Sequence, residues 1–215
     1  MAYKKISLKG LADYMTASPT RQRTVLRQYK YPEEDEAQAK IIYYREARDR
    51  VTVLHRSDRD SNWLLQQAAQ LDTLAAMSTG QTKTRLRHNA RGLRAYANHF
   101  ADRDFEILDD VRLALRFGDV LVSVVSDLHV KEKNKEKLVK LEFSAAEPSP
   151  VVIQVISQAM FEAAEQANLG LPSSGVLYLD VQRGAVHKGA RLGSRMRKDI
   201  ESACMSISAI WDTLE

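Results

Sequence analysis

One cysteine, Cys204, is all the chain has, so no internal disulfide can staple it, and a lone thiol fits a reducing cytoplasm. It falls in a helical apolar pattern, where packing is its expected role. Glycine (9) and proline (5) are scarce among 215 residues, which leaves little chain for long disordered linkers. No apolar run approaches the roughly 18–20 residues of a membrane span. Met1 to Lys9 lack the apolar stretch of a secretory signal, so a cytoplasmic protein without a membrane partner is expected. The five histidines show no metal-ligand spacing such as His-x3-His. There is no Walker loop, GxGxxG fingerprint, nucleophile elbow, kinase set or CxxC pair either. These gaps argue against nucleotide, kinase, hydrolase-triad and thiol-redox chemistry.

What is present is an ordinary globular balance, 44% hydrophobic and 28% charged, enough for one good core or two small ones packed together. The net charge of +4 is unevenly spread. Residues 1–103 carry 19 Lys and Arg against 11 Asp and Glu, and residues 104–215 carry 13 against 17. A basic half that faces a polyanion is one reading, because Lys and Arg release counterions from phosphates. Charged, solvated helix faces are the other.

The grammar changes near residue 104. Before it, apolar residues recur at helical spacing. Leu8, Leu11, Ala12 and Met15 mark a helix from Ser7 to Ala17. Ser18-Pro19 opens a second helix, which Pro32 ends by disfavouring helical geometry at Tyr31. Its arginines, Arg21, Arg23 and Arg27, would be the readers if the pair were a helix-turn-helix. Glu33-Glu34-Asp35-Glu36 suit the first turn of a long helix to about His55. Further helices are expected over about 61–77 and 82–100. On the last, Arg87, Arg91 and Arg94 share one face. They suit a phosphate backbone or an acidic surface of the same protein, with Asn89 and Asn98 as further polar contacts.

After the break, alternation predicts a strand over Val111 to Phe117, and Gly118-Asp119 a turn. A second strand runs from Val120 to about Val130, apolar enough for burial on both faces. The charged residues 131–137 read as a turn, and Leu138 to Phe143 as a third strand, with Lys140 and Glu142 on one face. A helix over 151–167, a strand over 176–181, a hairpin return to Lys188 and a helix over 192–214 complete the chain.

The order helix, three strands, helix, strand, with Asp127 ending the second strand and Lys140 on the third, resembles the PD-(D/E)XK nuclease-like superfamily. The resemblance covers about half the chain and is degenerate. Leu138 stands where the acid two residues before the lysine belongs, and Glu142 follows Lys140 instead. It implies catalytic residues Asp127, Lys140 and Glu142, with Asp127 and Glu142 holding Mg²⁺ or Mn²⁺ to activate water on a phosphodiester. Gln154 or Glu162 would be further contributors. His129, two residues beyond Asp127 on the same strand face, is a candidate general base or ligand, against a polar strand-end role. The opening, Tyr14 to Arg23 and Lys30-Tyr31-Pro32, looks like that of bacterial accessory or mobile-element proteins, as do Ser126 to His129 and Leu138 to Leu141.

The glycines at 184, 189 and 193, with Lys188, Arg191 and Arg195, form a basic loop before the last helix that suits phosphate. The expectation is therefore an α+β or α/β protein: a basic helical region, 1–103, packed on a nuclease-like α/β core, 104–215. Its expected function is nucleic-acid interaction of an accessory or defence kind, with metal-dependent cleavage implied by the resemblance. The alternatives are an inactive core serving a protein partner or homo-oligomer, and a helix-turn-helix regulator.

Overall fold

The computed structural model describes residues 3–33, 43–190 and 193–215, the first two of the last stretch by backbone alone. The protein is α+β, with helices dominating its N-terminal half and small mixed sheets its C-terminal half.

The chain opens on a strand that the sequence pattern does not announce, β1 (Lys4–Ser7). It has a single apolar residue facing inward, Ile6, and gains its identity only by lying parallel to a strand more than a hundred residues away. Ser7 then caps α1 (Leu8–Thr16) by accepting from the Gly10 N–H at 3.0 Å. Gly10 lies against the Tyr29 ring, where an added Cβ would stand 2.4 Å from the ring atoms. That close approach seats α2 (Pro19–Lys30) on α1. Pro19 and Pro32 bound α2 as expected.

Three helices follow: α3 (Arg45–Arg56), α4 (Ser61–Ala76) and α5 (Gly80–His99). The acidic start expected for a helix from residue 33 falls mostly on residues 34–42, outside the described residues. A short strand, β2 (Glu106–Ile107), leads to β3 (Arg112–Phe117) and β4 (Val120–Val125), which turn at Gly118 with φ +58°.

The expected second strand is in fact two, β4 and β5 (Leu128–Glu132), parted at Ser126-Asp127. They belong to different sheets, ordered β1-β4-β3 and β2-β5-β6-β7-β8. Burial on both faces does not hold for β4: Val120, Val122 and Val124 are buried, while Ser123 and Val125 face solvent. The β5–β6 connection is tighter than expected. Lys133 and Asn134 both take positive φ (51° and 61°), which makes a two-residue hairpin. The flanking charges therefore join the ladder, as in the Lys131–Glu136 and Glu132–Lys135 pairs.

Strand β6 (Lys135–Glu142) crosses through α6 (Pro150–Gln166) to β7 (Val176–Asp180), its parallel neighbour, and β8 (Ala185–Lys188) closes the sheet. The last helix is α7 (Gly193–Trp211). From Arg112 onward, counting β4 and β5 as one bent strand gives the expected element order, to which β1 and β2 are additions.

Two cores cut across residue 104. Residues Ile6 to Leu26 join β3, β4, α6, α7 and one face of β6–β7, through Leu138, Val176 and Tyr178. Residues Ala47 to Phe100 join β2, β5 and the opposite face, through Val139, Leu141, Phe143, Leu177 and Leu179. The five-stranded sheet is thus covered on both sides, and Lys140, Glu142 and Asp180 lie where β6 and β7 end.

Candidate nucleic-acid interface

The β5–β6 register pairs Leu128 with Val139, which sets Asp127, one residue earlier, beside Lys140. Asp127 donates its backbone N–H to the Val139 carbonyl at 2.8 Å. Its Oδ2 accepts the Leu141 N–H at 2.8 Å and lies 3.0 Å from Lys140 Nζ. Its Oδ1 lies 3.3 Å from Arg48 Nη1 on α3. The carboxylate is 2% exposed, the lysine 25% and the arginine 33%. The side chain therefore completes the ladder where β4 bends away, and it fixes two partly exposed cations.

Glu142 shares the Lys140 face of the strand but is held elsewhere. Its Oε1 accepts the Ser144 N–H at 2.8 Å, and its Oε2 accepts the Tyr178 hydroxyl at 3.3 Å. Burial first, then the Glu142 carboxylate, pushes the Tyr178 hydroxyl well above its usual range. The parallel register sets Asp180 beside Glu142. Asp180, absent from the sequence-derived candidates, is 2% exposed and pairs with Arg183 Nη1 at 3.0 Å. An acid closing the apolar run Val176 to Leu179 was its only signal.

His129 is engaged at both ring nitrogens, Nδ1 to the Asp109 carbonyl and Nε2 to Glu136, each at 2.7 Å. It bonds to none of Asp127, Lys140 and Glu142, so it stands in a strand-end network outside that set. Glu162 is buried in α6, where Gln158 Nε2 donates to it at 2.7 Å, and Gln154 is exposed.

The resemblance called for Mg²⁺ or Mn²⁺ on Asp127 and Glu142. Such an ion needs carboxylate oxygens open to close approach. Both Asp127 oxygens instead face cations, and both Glu142 oxygens accept hydrogen bonds. Among the described residues no group of three or more His, Cys, Asp or Glu is placed to hold a metal. The donors as arranged do not fit a divalent ion.

The arginine stripe of α5 divides. Arg94 pairs with Asp72 and Arg85 with Glu46, whereas Arg87 and Arg91 are exposed and enter no ion pair among the described residues. Arg91 adjoins a ring cluster. Burial, then Tyr43 and Glu142, raises the Tyr44 hydroxyl above its ordinary value, with Arg91 opposing them, and burial, then Arg91, lowers His88. Tyr44 stacks on Phe143 with centroids 5.5 Å apart. Tyr43 meets Tyr44 edge-on at 5.0 Å, and its hydroxyl lies 2.8 Å from His88 Nδ1.

Asn89 was expected as a surface contact but is fully buried. Its Oδ1 accepts the Ala47 N–H at 2.8 Å, and its Nδ2 donates to the Tyr43 carbonyl at 2.6 Å. It fastens the start of α3 to α5. Gly92 lets α5 lie on Phe143, since a Cβ there would stand 2.8 Å from the ring.

The remaining basic candidates lie apart in the chain. Arg21, Arg23 and Arg27 are exposed on α2, and Arg23 Nη2 reaches the Thr213 carbonyl at 3.4 Å. Lys188 and Arg195 are exposed, and Arg191 lies outside the described residues. Gly184 and Gly189 serve packing, since a Cβ would stand 2.7 Å from His99 and 2.4 Å from the Ser173 carbonyl respectively. Cys204 is buried, and burial pushes its thiol up to about 12.

No family model, curated protein or solved structure matches the chain.

Proposed function

We propose that this protein binds nucleic acid, and that it does so without metal-dependent cleavage. Arg87 and Arg91 supply the exposed charge, and Lys140 and Arg48 lie near the same end of the sheet, oriented by Asp127. The observation that carries the reading is the split between these groups. The cations keep solvent access, while the carboxylates that hydrolysis would use are turned inward onto protein donors. Phosphates suit the first set, and the second has little left to offer a metal.

Binding of labelled DNA and RNA across a salt series tests this. Removing one phosphate-binding cation should lower the slope of log affinity against log salt by roughly 0.7–0.9. The double substitution Arg87→Gln/Arg91→Gln should flatten it accordingly.

A helix-turn-helix reading is the second, favoured by the exposure of Arg21, Arg23 and Arg27 along α2. It predicts that substituting those three, and not the α5 pair, abolishes binding to duplex DNA.

A further inference from the structure

We infer that the ligand at this site is single-stranded nucleic acid, with an unpaired base taken up at Tyr44. The inference rests on the nucleic-acid reading and narrows it. Its basis is the Tyr43-Tyr44 corner at the start of α3. Tyr44 is half-buried, with its ring stacked on Phe143 at an interplanar angle of 26°. Tyr43 is braced edge-on against it and tied through its hydroxyl to His88. Asn89 holds the corner from below by the Tyr43 carbonyl and the Ala47 N–H.

These rings are therefore set in place before any ligand arrives, and little side-chain freedom is left to lose on binding. Beside them stand the exposed guanidiniums of Arg87 and Arg91, which flank along α5 the His88 that Tyr43 contacts, with ring centroids 5.9 Å apart. Arg87 and Arg91 lie one helical turn apart, about 6 Å along α5.

Cations that follow a backbone beside a fixed aromatic ring are how single strands are gripped irrespective of sequence. A duplex keeps its base faces stacked inside the helix and can offer this corner only phosphates. An unpaired strand offers both phosphate and base.

The test is fluorescence anisotropy with one labelled oligonucleotide, presented single-stranded and as a duplex, in DNA and RNA forms. The wild-type protein should prefer the single strand. Tyr44→Leu, which keeps an apolar contact with Phe143, should weaken single-strand binding about tenfold, the worth of one stacked base, and leave the salt slope unchanged. Tyr44→Phe, which keeps the ring, should bind as wild type does. Circular dichroism establishes that both variants fold. Equal affinity for the two forms, or full single-strand affinity in Tyr44→Leu, would overturn the inference and leave phosphate binding standing. Binding to neither form would remove the nucleic-acid reading itself.

Discussion

Arg48 of α3 and Asp127 at the β4–β5 bend meet at 3.3 Å, joining the helical layer to the sheet through a carboxylate that is 2% exposed. Lys140 meets the same carboxylate at 3.0 Å from the neighbouring strand. The acid therefore has a structural task.

Asp127→Ala removes both ion pairs and leaves the Leu141 N–H without its acceptor. Loss of one partner of a buried pair costs about 3–5 kcal/mol. The partial exposure of both cations reduces that to roughly 2–3 kcal/mol here. Urea unfolding should show this loss. Lys140→Met should cost less, because Arg48 and the Leu141 N–H still hold the carboxylate.

Asn89→Ala should destabilise by roughly 2–4 kcal/mol. It deletes a fully buried amide and strands the Ala47 N–H and the Tyr43 carbonyl, each worth about 1–3 kcal/mol when left unpaired. Thermal unfolding measures the loss, and Tyr fluorescence should report loosening at the Tyr43-Tyr44 corner.

Gly92→Ala sets two effects against each other. Alanine favours the helix by about 1 kcal/mol. Its Cβ, however, would stand 2.8 Å from Phe143 Cδ1, and overpacking costs about 1–3 kcal/mol. The ring is itself held by Tyr44, so the clash should win. The substitution should lower the melting temperature and weaken single-strand binding together.

His55 lies 2.8 Å from the buried Tyr96 hydroxyl, and burial, then Arg103, pulls it down to about 4 from the ordinary 6.5. The unfolded chain takes up a proton below pH 6.5 that the folded protein refuses until about pH 4. Stability is therefore full above 6.5 and falls as pH drops through that window, by roughly 3 kcal/mol in all. Melting temperature against pH should follow this fall. His55→Gln, which keeps a partner for Tyr96, should flatten it.

Local chemistry was legible in the sequence and distant contact was not. Pro19 and Pro32 bound α2 through backbone geometry that needs no neighbour. Period-2 spacing was enough to bring Lys140 and Glu142 to one face, and the strand order brought Asp127 beside Lys140, while Glu142 turned to Ser144 and Tyr178. Arg48 gave no signal, because its role depends on how α3 lies against the β4–β5 bend. Asn89 looked like surface for the same reason, since only the approach of α3 buries it. Strand β1, four residues with one inward apolar side chain, is defined by β4 alone. The apolar run from residue 120 concealed a change of sheet that only the pairing partners reveal.

The central claim is tested most directly by incubating one labelled single-stranded oligonucleotide with the protein, with and without Mn²⁺, and following binding and strand length together. The account predicts binding that weakens with salt, a flatter salt slope in Arg87→Gln/Arg91→Gln, and an intact strand in both conditions. Mn²⁺-dependent cleavage that disappears in Asp127→Ala, or an absence of binding by the wild-type protein, would contradict it.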